Sequence, residues 1–193
     1  MEQRTFHDRA KLELNWFDNR FRDQIAFASA PLPSNPYAGS FFNIGRSKAN
    51  GAEVIAEAVP GHGFRVNGAY TFLETAITTS SSPTDPIYQQ GRPLIRRPRH
   101  SGTLRVLWNW RRLNITSSTI FVGRRADSDF SSLVPPLTSN PGYTQWDVAW
   151  SYRSTYRITY FGAAENILNR AYMDVLGYPA LKFTVRAGIR VAF

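Results

Sequence analysis

The sequence contains no cysteine and only three histidines, which excludes several common kinds of site. Without cysteine there is neither a disulfide framework nor a thiolate metal site. His7, His62 and His100 are far apart in the chain and do not have the spacing of metal ligands. We therefore expect no resident metal and no cofactor.

Long hydrophobic runs are also missing. No apolar stretch approaches the roughly 20 residues that a transmembrane helix needs. The first ten residues, MEQRTFHDRA, are charged and lack the apolar centre of a signal peptide. Taken alone, these absences favour a soluble cytoplasmic protein, but the strand pattern described below argues against that class.

The chain is basic, with a formal net charge of +9 that comes almost entirely from arginine. Such an excess is compatible with simple solubility, with nucleic-acid binding or with an anionic lipid surface. Nucleic-acid-binding modules usually concentrate their basic residues on one element, whereas here one or two arginines occur in each segment. We therefore expect no nucleic-acid partner.

Catalytic constellations are absent from the sequence as well. The serine run at 80–82 has no paired base, and no glycine-rich phosphate loop opens a helix. In ADSDF, the carboxylates of Asp127 and Asp129 are too few for an ordered Ca²⁺ shell. Because Arg124 and Arg125 precede them, local ion pairs are the favoured interpretation. The sequence predicts no enzyme.

Apolar and polar residues alternate strictly in much of the chain. In the last segment, KFTVRAGIRVAF, every second residue from Phe183 to Phe193 is apolar, which predicts a strand that runs to the last residue. Most such segments contain about ten residues, the length of a tilted membrane-spanning strand. Eight segments show the pattern: 11–17, 44–58, 64–74, 103–110, 113–123, 143–153, 156–166 and 182–193.

The connections between these segments alternate in length. The turns at 60–63, at 109–112 and around Ser154 are tight, whereas the other connections are long and rich in Pro, Ser, Gly and Asn. Short turns on one side and long loops on the other are typical of an outer-membrane β-barrel. The long connections are 28–42, 77–98, 126–141 and 168–180.

Aromatic residues concentrate near the short turns, where an interface girdle of a membrane barrel would lie. A soluble β-sandwich is the alternative, but its aromatics would concentrate in the middle of the strands. The predicted girdle consists of Phe64, Trp110, Tyr152, Tyr156 and Phe193.

The polar face of the predicted strands carries many long charged side chains. A lipid-facing arginine at mid-membrane costs about 2–4 kcal/mol, so these residues are expected to face a watery lumen. An eight-stranded barrel is filled by its own side chains, and this many charges fits better in part of a larger barrel. The residues are Arg65, Arg105, Arg153, Arg157, Arg186 and Arg190, with Glu53, Glu57, Asp147 and Glu165.

Four short strings resemble TonB-dependent outer-membrane receptors: NIGRSKANGAE (43–53), YTFLET (70–75), LIRRPRH (94–100) and ENILNRAY (165–172). The last string, followed by a strand that ends in Phe193, is the most specific. The positions that carry the resemblance are Asn43, Gly45, Gly51, Glu53, Asn166 and Tyr172.

The resemblance implies an all-β, antiparallel transmembrane barrel of 22 strands in the outer membrane of a Gram-negative-type bacterium. Residues 1–193 would be its C-terminal segment of about eight meander strands, without the plug domain. Such receptors take up ferric siderophores or cobalamin and engage the TonB complex through an N-terminal part that is missing here. Expected partners are a metal chelate or corrinoid, outer-membrane lipid and lipopolysaccharide.

Two groups of residues acquire expected roles from this resemblance. Ile189, Val191 and Phe193 would form the signal read by the barrel-assembly machinery. The arginines of the long loops would contact an anionic ligand, although they could equally bind lipopolysaccharide phosphates at the outer rim or simply be solvated. These arginines are Arg92, Arg96, Arg97, Arg99, Arg124 and Arg125.

Three other readings stay open at this point. The chain could be a complete small barrel with a structural or adhesion role, an outer-membrane enzyme, or a soluble β-sandwich binding module. The missing signal peptide argues against the first, and the lack of a nucleophile or acid–base set argues against the second. Behaviour in detergent would identify the third.

Overall fold

The computed structural model describes residues 2–5, 9–29, 39–43, 45–80, 85–128 and 137–193. Within these ranges the backbone forms strands, turns and bends, with no α-helix. Accordingly, no helix among the described residues has the length and hydropathy needed to cross a membrane.

The described residues form fifteen strands, numbered in chain order. They are β1 (Glu2–Thr5), β2 (Ala10–Arg22), β3 (Ile25–Ser29), β4 (Gly39–Asn43), β5 (Gly45–Gly61), β6 (Phe64–Ser80), β7 (His100–Trp110), β8 (Leu113–Val122), β9 (Arg125–Asp127), β10 (Thr138–Asn140), β11 (Tyr143–Arg153), β12 (Ile158–Glu165), β13 (Met173–Val175), β14 (Tyr178–Pro179) and β15 (Thr184–Val191).

Nine of these strands form one antiparallel meander in the order β1-β2-β5-β6-β7-β8-β11-β12-β15. The other six form three two-stranded hairpins, β3–β4, β9–β10 and β13–β14, which lie in the long connections. Among the described residues the sheet does not close, since β1 and β15 each have a neighbour on one side only. The sheet is therefore an arc of a barrel rather than a complete one.

All eight predicted strands are present, and the departures from prediction are local. The structure adds β1 and the three hairpins, and β12 begins at Ile158 because a turn joins the Ser154 N–H to the Ile158 carbonyl over 3.0 Å. The prediction that the terminal strand reaches the last residue was wrong by two positions, since β15 ends at Val191. The Ala192 N–H nevertheless still donates to the Arg157 carbonyl.

The alternating apolar and polar residues of β2 show which face of the sheet is exposed. Leu12, Leu14 and Trp16 are 50%, 52% and 72% exposed, whereas Lys11 and Glu13 between them are half-buried. A soluble sheet buries its apolar face, so this arrangement is inverted. We call the two sides the apolar face and the polar face, and an exposed apolar face is what a lipid-facing sheet requires.

Polar side chains form a continuous row on the polar face, because the register keeps side chains of one parity opposite each other. Two ion pairs lie on the same face: Lys11 with Glu13 at 3.4 Å and Arg186 with Glu165 at 2.7 Å. These contacts fit the prediction that the charged residues share one side of the sheet. The row runs across six strands through Lys11, Glu57, Asn67, Arg105, Ser118 and Asp147.

Aromatic residues gather at the short-turn end of the sheet, as predicted. The β5–β6 turn consists of His62 and Gly63, both with positive φ, and Phe64 follows it directly. Phe64 stacks on Trp108 at 5.7 Å between ring centroids, and Trp108 stacks on Trp110 at 6.0 Å. Phe64 and Trp110 of the predicted girdle therefore lie close together on the apolar face, with Trp108 between them.

Two glycines near the end of the sheet lie beneath aromatic rings of the neighbouring strand. Trp150 is paired with Gly162, where an added Cβ would lie 2.7 Å from the indole nitrogen. Phe161 is paired with Gly188, where an added Cβ would lie 2.5 Å from the ring. The rings cover the glycine backbone, a pairing that fixes strand register and compensates for the missing side chain.

Candidate functional site: the loop cluster

Three long connections converge at the end of the sheet opposite the short turns. We define the loop cluster as residues 85–99, the β9–β10 hairpin with Ser128, and residues 166–181. Hydrogen bonds between these segments, described below, span up to 49 positions in sequence. The cluster is therefore a tertiary structure and not a set of separate loops.

A small apolar core attaches the first segment to β6. Ile77, Ile87 and Tyr88 are the buried hydrophobic residues of the described chain, at 2%, 6% and 7% exposure. Backbone bonds continue the contact, since the Gly91 N–H donates to the Ile77 carbonyl and the Ile77 N–H to the Arg92 carbonyl. Residues 91–99 thus extend along β6 beyond the start of β7.

Asp127 lies at the centre of the loop cluster and is fully buried. Its Oδ1 accepts hydrogen bonds from Arg96 Nε and the Ser128 N–H, both at 2.8 Å. Its Oδ2 accepts from Asn140 Nδ2 and the Leu176 N–H, both at 3.0 Å. One carboxylate therefore joins all three segments of the cluster.

The environment of Asp127 stabilises its ionised form. Burial disfavours the charge and would raise the pKa, but the hydrogen bonds from Arg96, Asn140 and the two backbone N–H groups outweigh it. The pKa of Asp127 is consequently held below its ordinary value. At neutral pH the carboxylate is an acceptor for all four donors.

Arg125 connects the β9–β10 hairpin to the β13–β14 hairpin. Its side chain is only 2% exposed, and its Nη2 donates to the carbonyls of Met173 and Asp174 at 2.9 and 2.6 Å. The guanidinium also lies over the Tyr143 ring, 5.7 Å from the centroid. Among the described residues its Nη1 has no hydrogen-bond partner.

Two stacked tyrosines join the cluster to the sheet. The rings of Tyr143 and Tyr172 are 4.0 Å apart and nearly parallel. The Tyr172 hydroxyl donates to Gln145 Oε1 at 2.6 Å, and the Tyr143 hydroxyl donates to Asp174 Oδ1 at 3.1 Å. Stacking and hydrogen bonds therefore hold residues 166–181 against the first residues of strand β11.

Asn166 organises the ENILNRAY segment from within. Its side chain is buried, and its Nδ2 donates to the carbonyls of Arg170 and Leu181 at 2.9 and 3.0 Å. Its Oδ1 accepts from the Arg170 N–H at 3.0 Å, and its own N–H donates to Asp147 Oδ1 at 2.8 Å. With φ at 50°, the residue also turns the chain out of β12.

The other motif positions lie in and beside β5. Asn43 Oδ1 accepts from the Gly45 N–H at 2.6 Å while its Nδ2 donates to Asp23, which clamps the corner between the β3–β4 hairpin and the sheet. Gly51 pairs with Phe17, and a Cβ added there would lie 2.0 Å from the Phe72 carbonyl oxygen and 2.9 Å from the Phe17 ring. Glu53 is half-buried on the polar face. Asn43, Gly45 and Gly51 thus have structural roles in this region.

The six loop arginines separate into distinct environments. Arg96 and Arg125 are brought together around the β9–β10 hairpin and bond to other parts of the loop cluster. Arg99 pairs with Glu74 and lies over Phe72 on the apolar side of β6. The other three arginines, Arg92, Arg97 and Arg124, are exposed, and Arg97 Nη1 donates to the Arg96 carbonyl at 3.3 Å.

Sequence reasoning did not anticipate the role of Asp127. The local ion pairs expected with Arg124 and Arg125 give way to a contact with Arg96, 31 positions earlier. Asp129 lies outside the described residues. Asn140 and Asp174 were also missed, because each is recognised only by contacts between segments that are distant in sequence.

The cluster consists mainly of hydrogen-bonding and basic groups. Among the described residues, no group of three or more His, Cys, Asp or Glu side chains could hold a metal ion. Both oxygens of Asp127, the most buried carboxylate, are occupied by protein donors.

A comparison with known protein families agrees with the fold and with its arrangement of short turns and long loops. Residues 4–167 match the family described as TonB dependent receptor-like, beta-barrel, and the chain belongs to that family. It is a transport-receptor family of the outer membrane of Gram-negative bacteria, and the arc of strands is a portion of its barrel.

Solved receptors of low sequence identity share the fold. The ferric-catecholate import receptor Fiu of E. coli K12 has a TM-score of 0.73 at 16% identity, over 100% of this chain and 26% of its own. The siderophore receptor PiuA of Acinetobacter baumannii has 0.72 at 14%, over 98% and 27%. The ferripyoverdine receptor of the Pseudomonas aeruginosa outer membrane has 0.70 at 14%, over 98% and 26%. The chain spans about a quarter of the length of these receptors.

Proposed function

We propose that residues 1–193 form the C-terminal segment of the 22-stranded barrel of a TonB-dependent receptor that takes up a scarce metal chelate. The observation that carries the proposal is the loop cluster, in which three loops are bonded into one body at the mouth of a polar-lined sheet. Rigid loops above a hydrated lumen are what ligand capture requires. A ferric siderophore is the favoured cargo, with cobalamin as the alternative.

The exposed arginines of the loops are the proposed ligand contacts. Ferric siderophores and corrinoid phosphates are anionic, and Arg92, Arg97 and Arg124 are exposed cations of the loops. Arg96 and Arg125 would act indirectly, by holding the loops in position. The siderophore cargo of the similar receptors PiuA and Fiu supports the ligand class.

Two further partners follow from the proposal. The TonB complex would act through a plug and coupling segment encoded elsewhere in the receptor. The barrel-assembly machinery would read Ile189 and Val191, which lie on the apolar face of β15 and are 62% and 49% exposed, together with Phe193, which follows the strand and is fully exposed. The apolar residues of this last strand are exposed, so the assembly machinery could reach them.

Uptake of radiolabelled iron as a ferric catecholate, in cells that depend on the receptor carrying this chain, tests the proposal. Replacing Arg92, Arg97 and Arg124 together with alanine should raise KM about tenfold, a loss of about 1.4 kcal/mol of binding, with little change in maximal rate. Arg111→Ala, at the short-turn end, is the matched control. An unchanged KM in the triple variant would remove these residues from the ligand site.

A further inference from the structure

The short-turn end of the last five strands of the sheet carries arginines and no acidic side chain. These strands are β7, β8, β11, β12 and β15, and their short-turn ends lie within residues 107–116, 150–161 and 187–193. The three segments contain five arginines and no Asp, Glu or Lys. All five arginines are exposed, and none forms an ion pair with an acidic side chain in the described part of the chain. We call them the short-turn arginines: Arg111, Arg112, Arg153, Arg157 and Arg190.

Hydrogen bonds and strand register bring the short-turn arginines together. The Arg153 N–H donates to the Arg112 carbonyl at 2.9 Å, and Arg112 Nη1 donates to the Ser154 carbonyl at 2.6 Å. These bonds join the β7–β8 turn to the β11–β12 turn. On the next strands, Thr159 pairs with Arg153 on one side and with Arg190 on the other. The arginines therefore form one surface on neighbouring strands.

Arg111 occupies a backbone conformation that arginine rarely adopts. It is the first residue of the two-residue turn between Trp110 and Leu113, and its φ is 51°. Glycine adopts a positive φ at such a turn without a steric cost, whereas other residues are strained there. Strained residues of this kind cluster at functional sites. The conformation of Arg111 therefore indicates a role for its side chain beyond folding.

The short-turn arginines are distributed over both faces of the sheet. The Arg111 guanidinium lies over the Trp110 ring on the apolar face, 5.4 Å from the centroid. The Arg190 guanidinium lies over the Phe161 ring on the polar face, 5.9 Å from the centroid. A lipid headgroup reaches only the apolar face, and a cargo in the lumen reaches only the polar face. A partner that contacts all five arginines must approach the ends of the strands, which face the periplasm in a barrel with short periplasmic turns.

We propose that the short-turn arginines bind carboxylates of peptidoglycan, the cell-wall polymer that lies beneath the outer membrane. The peptide stems of this polymer carry carboxylates at regular intervals, so they complement a surface of exposed cations that has no acidic side chain. Guanidinium groups form paired hydrogen bonds with carboxylate oxygens. Several weak pairs add up to stable binding, because both surfaces are multivalent. The site lies at the opposite end of the sheet from the loop cluster and is independent of ligand uptake.

The test measures co-sedimentation with purified, protease-treated peptidoglycan sacculi. The protein is the whole receptor that carries this chain, in mild detergent at low ionic strength. One variant combines Arg111→Gly, Arg112→Gln and Arg157→Gln, and its binding should be about tenfold weaker than that of the wild type. Arg111→Gly alone should weaken binding about twofold and at the same time raise the thermal unfolding temperature, because glycine relieves the strained φ. Binding is then lost without loss of the fold.

A matched control removes three exposed arginines of the long loops. It combines Arg92→Gln, Arg97→Gln and Arg124→Gln, and its binding to sacculi should equal that of the wild type. Equal loss in both triple variants would overturn the proposal, because it would indicate attraction by net charge alone. Undiminished binding of the short-turn variant would overturn it as well.

Changes to the probe then identify the partner. Amidation of the sacculus carboxylates should abolish binding of the wild type, and binding that survives amidation would contradict the proposal. Sacculi that retain their attached proteins should bind no better than protease-treated sacculi, and a requirement for those proteins would assign the site to an acidic protein instead. Tighter binding to phosphatidylglycerol vesicles than to sacculi would assign it to anionic phospholipid. Either of these two results would overturn the assignment to peptidoglycan.

Discussion

Arg96 Nε donates to Asp127 Oδ1 at 2.8 Å and so joins two loops that are 31 positions apart in sequence. Arg96 also donates to the Ser128 carbonyl through Nη2 and to the Ala126 carbonyl through its backbone N–H. Arg96 thus contacts three consecutive residues, Ala126, Asp127 and Ser128. Asp127 is fully buried, and its ion pair with Arg96 stabilises the centre of the loop cluster.

Removal of Asp127 should open the loop cluster while leaving the sheet intact. Asp127→Ala leaves Arg96 and Asn140 without their shared acceptor. Because the Arg96 side chain is 34% exposed and can be hydrated, we expect a cost of about 1–3 kcal/mol, that of buried hydrogen-bonding groups left unsatisfied. Hydrogen exchange at the Leu176 and Ser128 amides should accelerate strongly, whereas exchange in β7 and β8 should not change. Arg92→Ala, an exposed arginine in the same loop, serves as the control.

Acid should break the hydrogen bonds to Asp127 when its carboxylate becomes protonated. Because the pKa of Asp127 is lowered from 3.8, its contribution is complete above pH 3.8 and is lost as the pH falls through the lower, folded-state pKa. Hydrogen exchange at Leu176 should therefore stay slow until the pH is below 3.8. In Asp127→Asn this acid-dependent step should disappear. Opening that begins well above the ordinary aspartate value would contradict the assignment.

Asn166 should tolerate glycine better than alanine. Both substitutions remove the hydrogen bonds to Arg170 and Leu181, at about 1–3 kcal/mol for buried groups left unsatisfied. Alanine must in addition adopt φ near 50°, which costs about 1 kcal/mol more than glycine at this position. Thermal unfolding, in detergent, of the whole receptor that carries this chain should rank wild type first, Asn166→Gly second and Asn166→Ala last. Equal stability of all three would show that this segment is not under local strain.

The isolated chain should not behave as a monodisperse monomer in detergent. In the part of the chain that the structure describes, the sheet has open edges at β1 and β15, and unpaired strand edges in lipid are strongly disfavoured. Size-exclusion chromatography with light scattering should therefore show oligomers or aggregates. A heat-modifiable monomer of one chain would instead favour a complete small barrel.

The sequence predicts the main sheet well, because alternation of period two is a local signal. Leu12, Leu14 and Trp16 show their orientation by spacing alone, and so do Trp146, Val148 and Trp150 in β11. Neighbouring strands of a meander are also neighbours in sequence, so topology follows from order and turn length. These features required no knowledge of distant contacts.

The loop cluster could not be predicted in the same way. Asp127 contacts Arg96, Asn140 and Leu176, and nothing in their local sequence distinguishes these partners from other polar residues. The hairpins β9–β10 and β13–β14 are too short to produce a periodic pattern. The solvent exposure of each side chain depends on the same distant contacts. The sequence alone therefore does not indicate that Arg125 is buried while its neighbour Arg124 is exposed.

The central claim is that the apolar face of this sheet meets lipid and the polar face meets water. The absence of native cysteine makes each introduced cysteine the sole thiol in the chain. Leu104→Cys and Arg105→Cys, adjacent in β7 and on opposite faces, form the most direct pair. Labelling in intact outer membranes with a water-soluble maleimide should modify position 105, while position 104 should react only with a lipid-soluble reagent. Equal labelling of both positions by the water-soluble reagent would contradict a membrane barrel.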